Sequence, residues 1–316
     1  MAARPRVFDG FLFFNELDLL EIRLNELSDV VDVFVICESP VTFTGKPKPL
    51  HYHENRARFA PWADRIVHIV ADEVATVPEG ASAWEREVAQ RNAIARGFLA
   101  ATPSDFVMFS DVDEIPSARA LGRILDEVEA GRETGDAFIF IQDFFAYRLN
   151  WRADRDWTGT RMVRREVLDL IGQTLHRLRG SFKRIHRDYE RLPEPLRGWM
   201  WRARLRNFAG RWFQPREVHQ GGWHFTSMGD AAAIREKIAA FSHTELASPE
   251  MIGPGQLEAR IAARKALRDD ALTPVAISED RFPAYLARHL DRFASMVDFD
   301  VAGMSRPRAD LAAVET

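Results

Sequence analysis

Residues 105–116 read DFVMFSDVDEIP, and that stretch decides the fold. Residues 105–110 are an apolar run short enough for a strand, and they end in Asp111-Val112-Asp113-Glu114. In an extended segment, residues i and i+2 point the same way, so Asp111 and Asp113 would converge at the carboxyl edge of a sheet. Open α/β sheets bind ligands at that edge. Two carboxylates so close do not both stay ionised cheaply unless a cation sits between them. Oxygen ligands with open positions suit Mg²⁺ or Mn²⁺, which can clamp a diphosphate. The competing reading is a solvated acidic turn that caps the helix after Pro116.

Outward from this stretch the first 150 residues keep one rhythm. Residues 6–14 predict a strand, and Asn15 a cap for a helix carrying Leu17, Leu20, Leu24 and Leu27. Residues 30–37 (VVDVFVIC) form a continuous apolar run, as a strand covered on both faces should. Residues 65–70 predict another strand. Ser82 with Glu85 forms a capping box, residues 117–130 predict a helix stopped by Gly131, and residues 137–141 (AFIFI) a further strand. The alternation argues for βαβ units: an α/β fold with a mostly parallel central sheet, flanking helices and a helical, basic C-terminal part.

Composition narrows the function. With 316 residues, 46% hydrophobic and 28% charged, the chain is an ordinary globular protein, and its net charge of −4 argues against a nucleic-acid partner. Its one cysteine, Cys37, excludes an internal disulfide and a cysteine-cluster metal site. No run reaches the roughly 20 apolar residues of a membrane span, and acidic residues interrupt the N-terminus, a poor signal peptide. A cytoplasmic protein is expected. Residues 148–216 carry 18 Lys/Arg and 7 Asp/Glu, a local +11 that leaves −15 for the rest. Trp157, Trp199, Trp201 and Trp212 also lie there. Arg197, Trp199, Trp201, Arg202 and Arg204 could rest on an anionic membrane surface, or the arginines could pair with the acidic remainder. Asp230 and Pro283 open C-terminal helices.

Other candidates surround the acidic turn. Arg91 falls on the stripe Trp84, Val88, Ala95 and Phe98; it needs an acidic ligand, the acidic turn, or Glu87 four residues back. Asn92 could reach a base or ribose edge. In the loop ESPVTFTGKPK, Lys46 and Lys48 could meet phosphates, and Glu38 a base, a ribose or the metal shell. In GGWHF, two glycines allow close backbone approach to a ligand, and His224 could complete a metal site or be an ordinary core histidine. For a general base, Glu114 adjoins the metal turn, Asp143 lies just past the strand 137–141, and Glu38 is a third option.

Taken in order, FDGFLFFNELDLLEIRLNEL, VVDVFVICESPVTFTGKPKPL, QRNAI, DFVMFSDVDEIP and GGWHF resemble glycosyltransferase family 17. The resemblance covers residues 8–116 well and 221–243 fairly, and is weak over 151–216. It implies a GT-A-like nucleotide-sugar fold and inverting transfer from a UDP-sugar donor, typically UDP-N-acetylglucosamine. It implies Mn²⁺ or Mg²⁺ on Asp111 and Asp113, with His224 a further metal or diphosphate ligand. Residues 1–150 would be the nucleotide-sugar and metal-binding core, 151–245 the acceptor region, and 246–316 C-terminal helices. Because the chain opens almost on its first strand, a cytoplasmic enzyme acting on a glycan or lipid-linked sugar acceptor is expected. Two other readings remain. A metal-dependent phosphatase or phosphotransferase also uses D-x-D after a strand, and a carbohydrate-binding protein could use the tryptophans.

Overall fold

The computed structural model describes residues 4–132, 135–171, 174–180 and 215–306. Arg197, Trp199, Trp201, Arg202, Arg204 and Trp212, expected at a membrane surface or acceptor side, lie outside these residues.

The N-terminal half builds as its apolar runs dictate. Strands β1 (Val7–Leu12), β2 (Val33–Glu38), β3 (Ile66–Val70) and β4 (Phe106–Asp111) are parallel neighbours in the order β3-β2-β1-β4. Helices α1 (Leu17–Leu27), α2 (His51–Asn55) and α3 (Ala83–Ala93) connect them. Alternate residues feed opposite cores. Val7, Phe11, Phe106 and Met108 pack under α1, whereas Phe8, Leu12, Val107 and Phe109 pack under α3 and the turn that follows it. Burial on both faces is why β1, β2 and β4 read as near-continuous apolar runs, whereas the edge strand β3 is only half-buried. The chain moves from β1 outward to β3 and then returns to the other side of β1 as β4. That reversal opens a crevice at the carboxyl ends, where Leu12 and Asp111 are register partners.

The sheet is mostly parallel as expected, but its second half mixes parallel and antiparallel pairs. After β5 (Glu114–Pro116) and α4 (Ala118–Glu129), strands β6 (Ala137–Ala146) and β7 (Trp151–Arg164) form a long hairpin across residue 150. β7 also pairs antiparallel with β4. After α5 (Arg165–Ile171) and residues 174–180, β8 (Arg216–Val218) and β9 (Gly222–Thr226) run parallel to β6. β9 pairs antiparallel with β5, and that ladder sets Glu114 opposite His224. The glycines of GGWHF serve this packing and not a ligand. A Cβ on Gly222, at φ +131°, would meet the Ile115 carbonyl at 2.1 Å.

The C-terminal part is less helical than expected: α6 (Ala231–Ala240), α7 (Pro249–Ile252), α8 (Gln256–Ala262), β10 (Leu272–Pro274) and α9 (Ala284–Arg288) are short, with turns between. Asp230 caps α6, accepting from Ala233 N at 2.9 Å. Among the described residues no helix is long and apolar enough to cross a membrane.

Candidate active site

The acidic turn is fixed from beneath. Arg23 and Asp9 are both fully buried and share a two-point ion pair at 2.6 and 2.8 Å. The same guanidinium donates to the carbonyls of Asp111, Val112 and Glu114 at 3.1, 3.3 and 2.8 Å and to Ser110 Oγ at 2.8 Å. Every bend of the turn backbone is thereby anchored from α1. Arg23 lies on the leucine stripe of α1 and Asp9 interrupts an apolar strand; those two misplaced charges were the signal that sequence reasoning passed over.

Above the turn, one cavity of about 310 Å³ opens at the crevice. Asp111, Asp113, Arg91 and His224 all line it, joined by Glu16, Lys48, Arg179 and Lys237. The strand breaks after Asp111, so the two aspartates do not share one direction. Asp111 accepts from Arg91 at 2.8 Å and from Arg179 at 3.1 Å. Asp113 accepts from Lys237 Nζ at 2.8 Å and lies 3.6 Å from His224 Nε2. Lys237 also pairs with Glu16 at 2.9 Å. Burial alone would raise the Asp111 carboxyl, but Arg91 and Arg179 outweigh it and hold it below the ordinary range. Burial raises Asp113 against the pull of Lys237 and His224. Burial also lowers His224, so its imidazole is neutral and keeps a lone pair.

Could these groups hold a divalent ion? Among the described residues no three His, Cys, Asp or Glu side chains cluster as a metal site. Asp113 Oδ1 and His224 Nε2 are 3.6 Å apart, and a small side-chain shift would bring them to the spacing of about 3.0 Å that two neighbouring donors of one octahedral ion require. An ion of the Mg²⁺ type commonly takes one or two carboxylates and completes its shell with substrate phosphates and water. The donor set fits in that form, with Asp111 paired to arginines instead.

Arg91 makes both contacts that its sequence allowed. One nitrogen, NH2, reaches Glu87 at 2.9 Å and Asp111 at 2.8 Å. Its Nε and NH1 are buried without hydrogen-bond partners. Of the expected stripe Phe98 is buried, whereas Trp84 is 41% exposed and lines the cavity, and the buried face of α3 is polar.

Several candidates stand away from the cavity. Glu114 is fully buried beneath it, accepting from Arg179 at 2.5 and 2.7 Å and from Trp157 Nε1 at 2.7 Å. Burial would raise its carboxyl, but Arg179 drives it far down, which suits an anchor and not a base. Asp143 precedes Phe144 on β6; because successive side chains alternate, Phe144 lines the cavity while Asp143 pairs with Arg152 at 2.7 Å. Glu38 accepts from the backbone of Tyr52 and His53 at 3.2 and 3.1 Å and contacts His68 at 2.8 Å, which spends it on α2. Asn92 Oδ1 accepts from His176 N at 3.2 Å. Lys46 is exposed outside the cavity lining, whereas Lys48 of the same loop lines it. Arg179 and Lys237 were not anticipated. Lys237 falls three residues after Ile234 on a helix stripe, again a charge where a core residue belongs.

A family model and the sequence relatives agree on a class. The family model described as glycosyltransferase family 17 matches residues 1–158. A rat protein named β-1,4-mannosyl-glycoprotein 4-β-N-acetylglucosaminyltransferase is 28% identical over 229 residues, covering 69% of this chain and 39% of that protein. The human protein of the same name is 32% identical over 121 residues, 35% of this chain and 22% of that protein. The chain thus matches well under half the length of these relatives. Among solved structures, a 4-diphosphocytidyl-2C-methyl-D-erythritol synthase is 12% identical, covers 58% of this chain and 86% of its own, and has a TM-score of 0.36. A UDP-glucose pyrophosphorylase complexed with UDP-glucose is 7% identical, with coverages of 58% and 88% and a TM-score of 0.30.

Proposed function

We propose a donor, a metal and an acceptor side for this cavity from one premise: the chain belongs to glycosyltransferase family 17. The reaction is transfer of a sugar, N-acetylglucosamine first, from a UDP donor to a hydroxyl of a glycan or lipid-linked sugar. The acceptor oxygen attacks the anomeric carbon and the bond from that carbon to the β-phosphate oxygen breaks. The nucleoside diphosphate leaves with the electron pair, and the hydroxyl proton passes to a carboxylate. Attack from the opposite face inverts the anomeric centre.

One observation carries this reading. The β5–β9 ladder places Asp113 and His224 3.6 Å apart on the cavity wall, beside the crevice between β1 and β4. Open α/β sheets bind nucleotides at such a reversal of strand order. Mn²⁺ or Mg²⁺, held by Asp113 and His224, would neutralise the leaving diphosphate. Arg91 offers Nε and NH1 to the same phosphates, and Lys48 adds a further charge at the cavity wall. Lys237 donates to Asp113 and partly offsets the burial that raises its carboxyl. Among the described residues four carboxylates face the cavity, and the two not given to the ion or held by paired arginines, Glu16 and Glu87, can take the proton. The acceptor enters over β6 and β7, where Phe144, Tyr147 and Trp157 form an aromatic wall suited to sugar rings.

A donor panel tests this directly. UDP-N-acetylglucosamine, UDP-glucose, GDP-mannose and CDP-linked sugars are incubated with Mn²⁺ and simple glycosides, and nucleotide release is followed. Release from UDP-sugars above the rest is the expected result. Release of inorganic phosphate from generic esters instead would turn the assignment to a phosphatase.

A further inference from the structure

The charges that line the cavity do not balance evenly. Its four carboxylates each have a cation: Glu16 and Asp113 share Lys237, and Glu87 and Asp111 share Arg91, with Arg179 added on Asp111. Two further guanidiniums line the cavity, Arg155 on β7 and Arg268 in the turn before β10, and among the described residues no other lining carboxylate accompanies them.

Arg155 is held in place without being satisfied. Its guanidinium lies 4.0 Å over the Phe144 ring and 5.5 Å from the Trp157 ring. Its anion is Asp270, with Nε 3.1 Å from Oδ1, yet Arg155 Nε and NH2 are buried without a hydrogen-bond partner. Arg268 is exposed at the cavity, and among the described residues its polar contact is His243 Nε2 at 3.3 Å. The other nitrogen of that ring is engaged by Glu245 at 2.5 Å. Nearby Asp269 is taken by Arg260 at 2.8 Å and Lys265 at 3.2 Å. Arg268 also repels Arg155, and this adds to the burial that already disfavours the charge of Arg155.

Position separates this pair from the donor phosphates. The Trp157 ring stacks on His224 at 4.4 Å. Arg155 follows two residues earlier on the same face of β7, about 7 Å along the strand. An anion there would lie against the Phe144 and Trp157 rings, the wall assigned above to the acceptor. Guanidiniums held flat against aromatic rings bind carboxylate or phosphate with little loss of freedom.

We propose that the acceptor carries an anionic group, a carboxylate or a phosphate, seated between Arg155 and Arg268. This rests on the transferase reading above and adds to it the chemical class of acceptor. Calorimetry on the full chain, saturated with UDP and Mn²⁺, compares methyl β-glucuronide, glucose 1-phosphate and methyl β-glucoside. At least one anionic probe should bind about tenfold or more tighter than the neutral one, and the tighter of the two identifies the group. R155Q and the exposed R268Q should each bring that ratio to within about threefold, with UDP affinity unchanged. Equal binding of neutral and anionic probes would overturn the proposal, as would a preference that survives both substitutions. A tenfold loss of UDP affinity in either variant would assign the pair to the donor and also overturn it. If the wild type binds no UDP, the donor reading fails instead, and the same probe ratios without UDP still decide the anion seat.

Discussion

Arg23 and Arg91 are both buried, both lie on helices that pack on the sheet, and both bind the acidic turn, yet they differ in what remains unused. Arg23 spends its guanidinium on Asp9, Ser110 and three carbonyls. Arg91 spends one nitrogen on two carboxylates and keeps two more idle at a cavity. A satisfied guanidinium in a core is a structural tie. One with idle donors beside a cavity carries a desolvation cost that a ligand can relieve.

The sharpest way to break this contrast is to remove each group. Arg23→Leu strands Asp9 as a lone buried carboxylate and frees the turn, so urea denaturation should show a loss of about 3–5 kcal/mol. Asp9→Leu added to it should restore part of that loss, because no uncompensated charge then remains. Asp113→Ala should do the reverse: transfer falls by about 10²–10³-fold while the melting temperature stays near wild type, since Lys237 keeps Glu16. Arg91→Gln should weaken UDP binding by about 10- to 100-fold, with a smaller stability loss than Arg23→Leu, because Gln keeps a donor near Glu87 and Arg179 still holds Asp111.

The smallest effect is a control far from the cavity. Asp105 accepts from Arg6 N at 2.9 Å and Thr102 N at 2.8 Å. Burial would raise this carboxyl, but those donors outweigh it and hold it below its ordinary range. The unfolded chain therefore takes up the proton at higher pH than the folded one. The stability from Asp105 is present above about pH 3.9 and is lost as pH falls through the lower folded value. Asp105→Asn should cost about 1–2 kcal/mol at pH 7 and flatten the acid limb of the stability profile, with activity unaltered.

How legible was all this beforehand? β1, β2 and β4 were, because burial on both faces leaves apolar runs such as VFVIC, and the half-buried edge strand β3 was legible from its β-branched residues. The β6–β7 hairpin was not. β7 reads WRADRDWTGTRMVR, and its charges mask the period-2 signal because several face the cavity or pair with neighbours. The strand expected to end at Ile141 continues to Ala146, which moved Asp143 from a presumed rim to the opposite face of the sheet. His224 was identifiable by composition, but only the β5–β9 ladder brings it to Asp113. Arg179 and Lys237 reach the site from more than 60 residues away, measured from Asp111 and Asp113. For Lys237, as for Arg23, a charge on an apolar helix stripe was the available clue.

The most direct test of the account is calorimetric titration of UDP into the wild-type chain and into Asp113→Ala, each with and without Mn²⁺. The account predicts binding to the wild type that strengthens at least about tenfold with Mn²⁺, and no such Mn²⁺ effect in the variant. UDP binding that ignores both the ion and the substitution would contradict it.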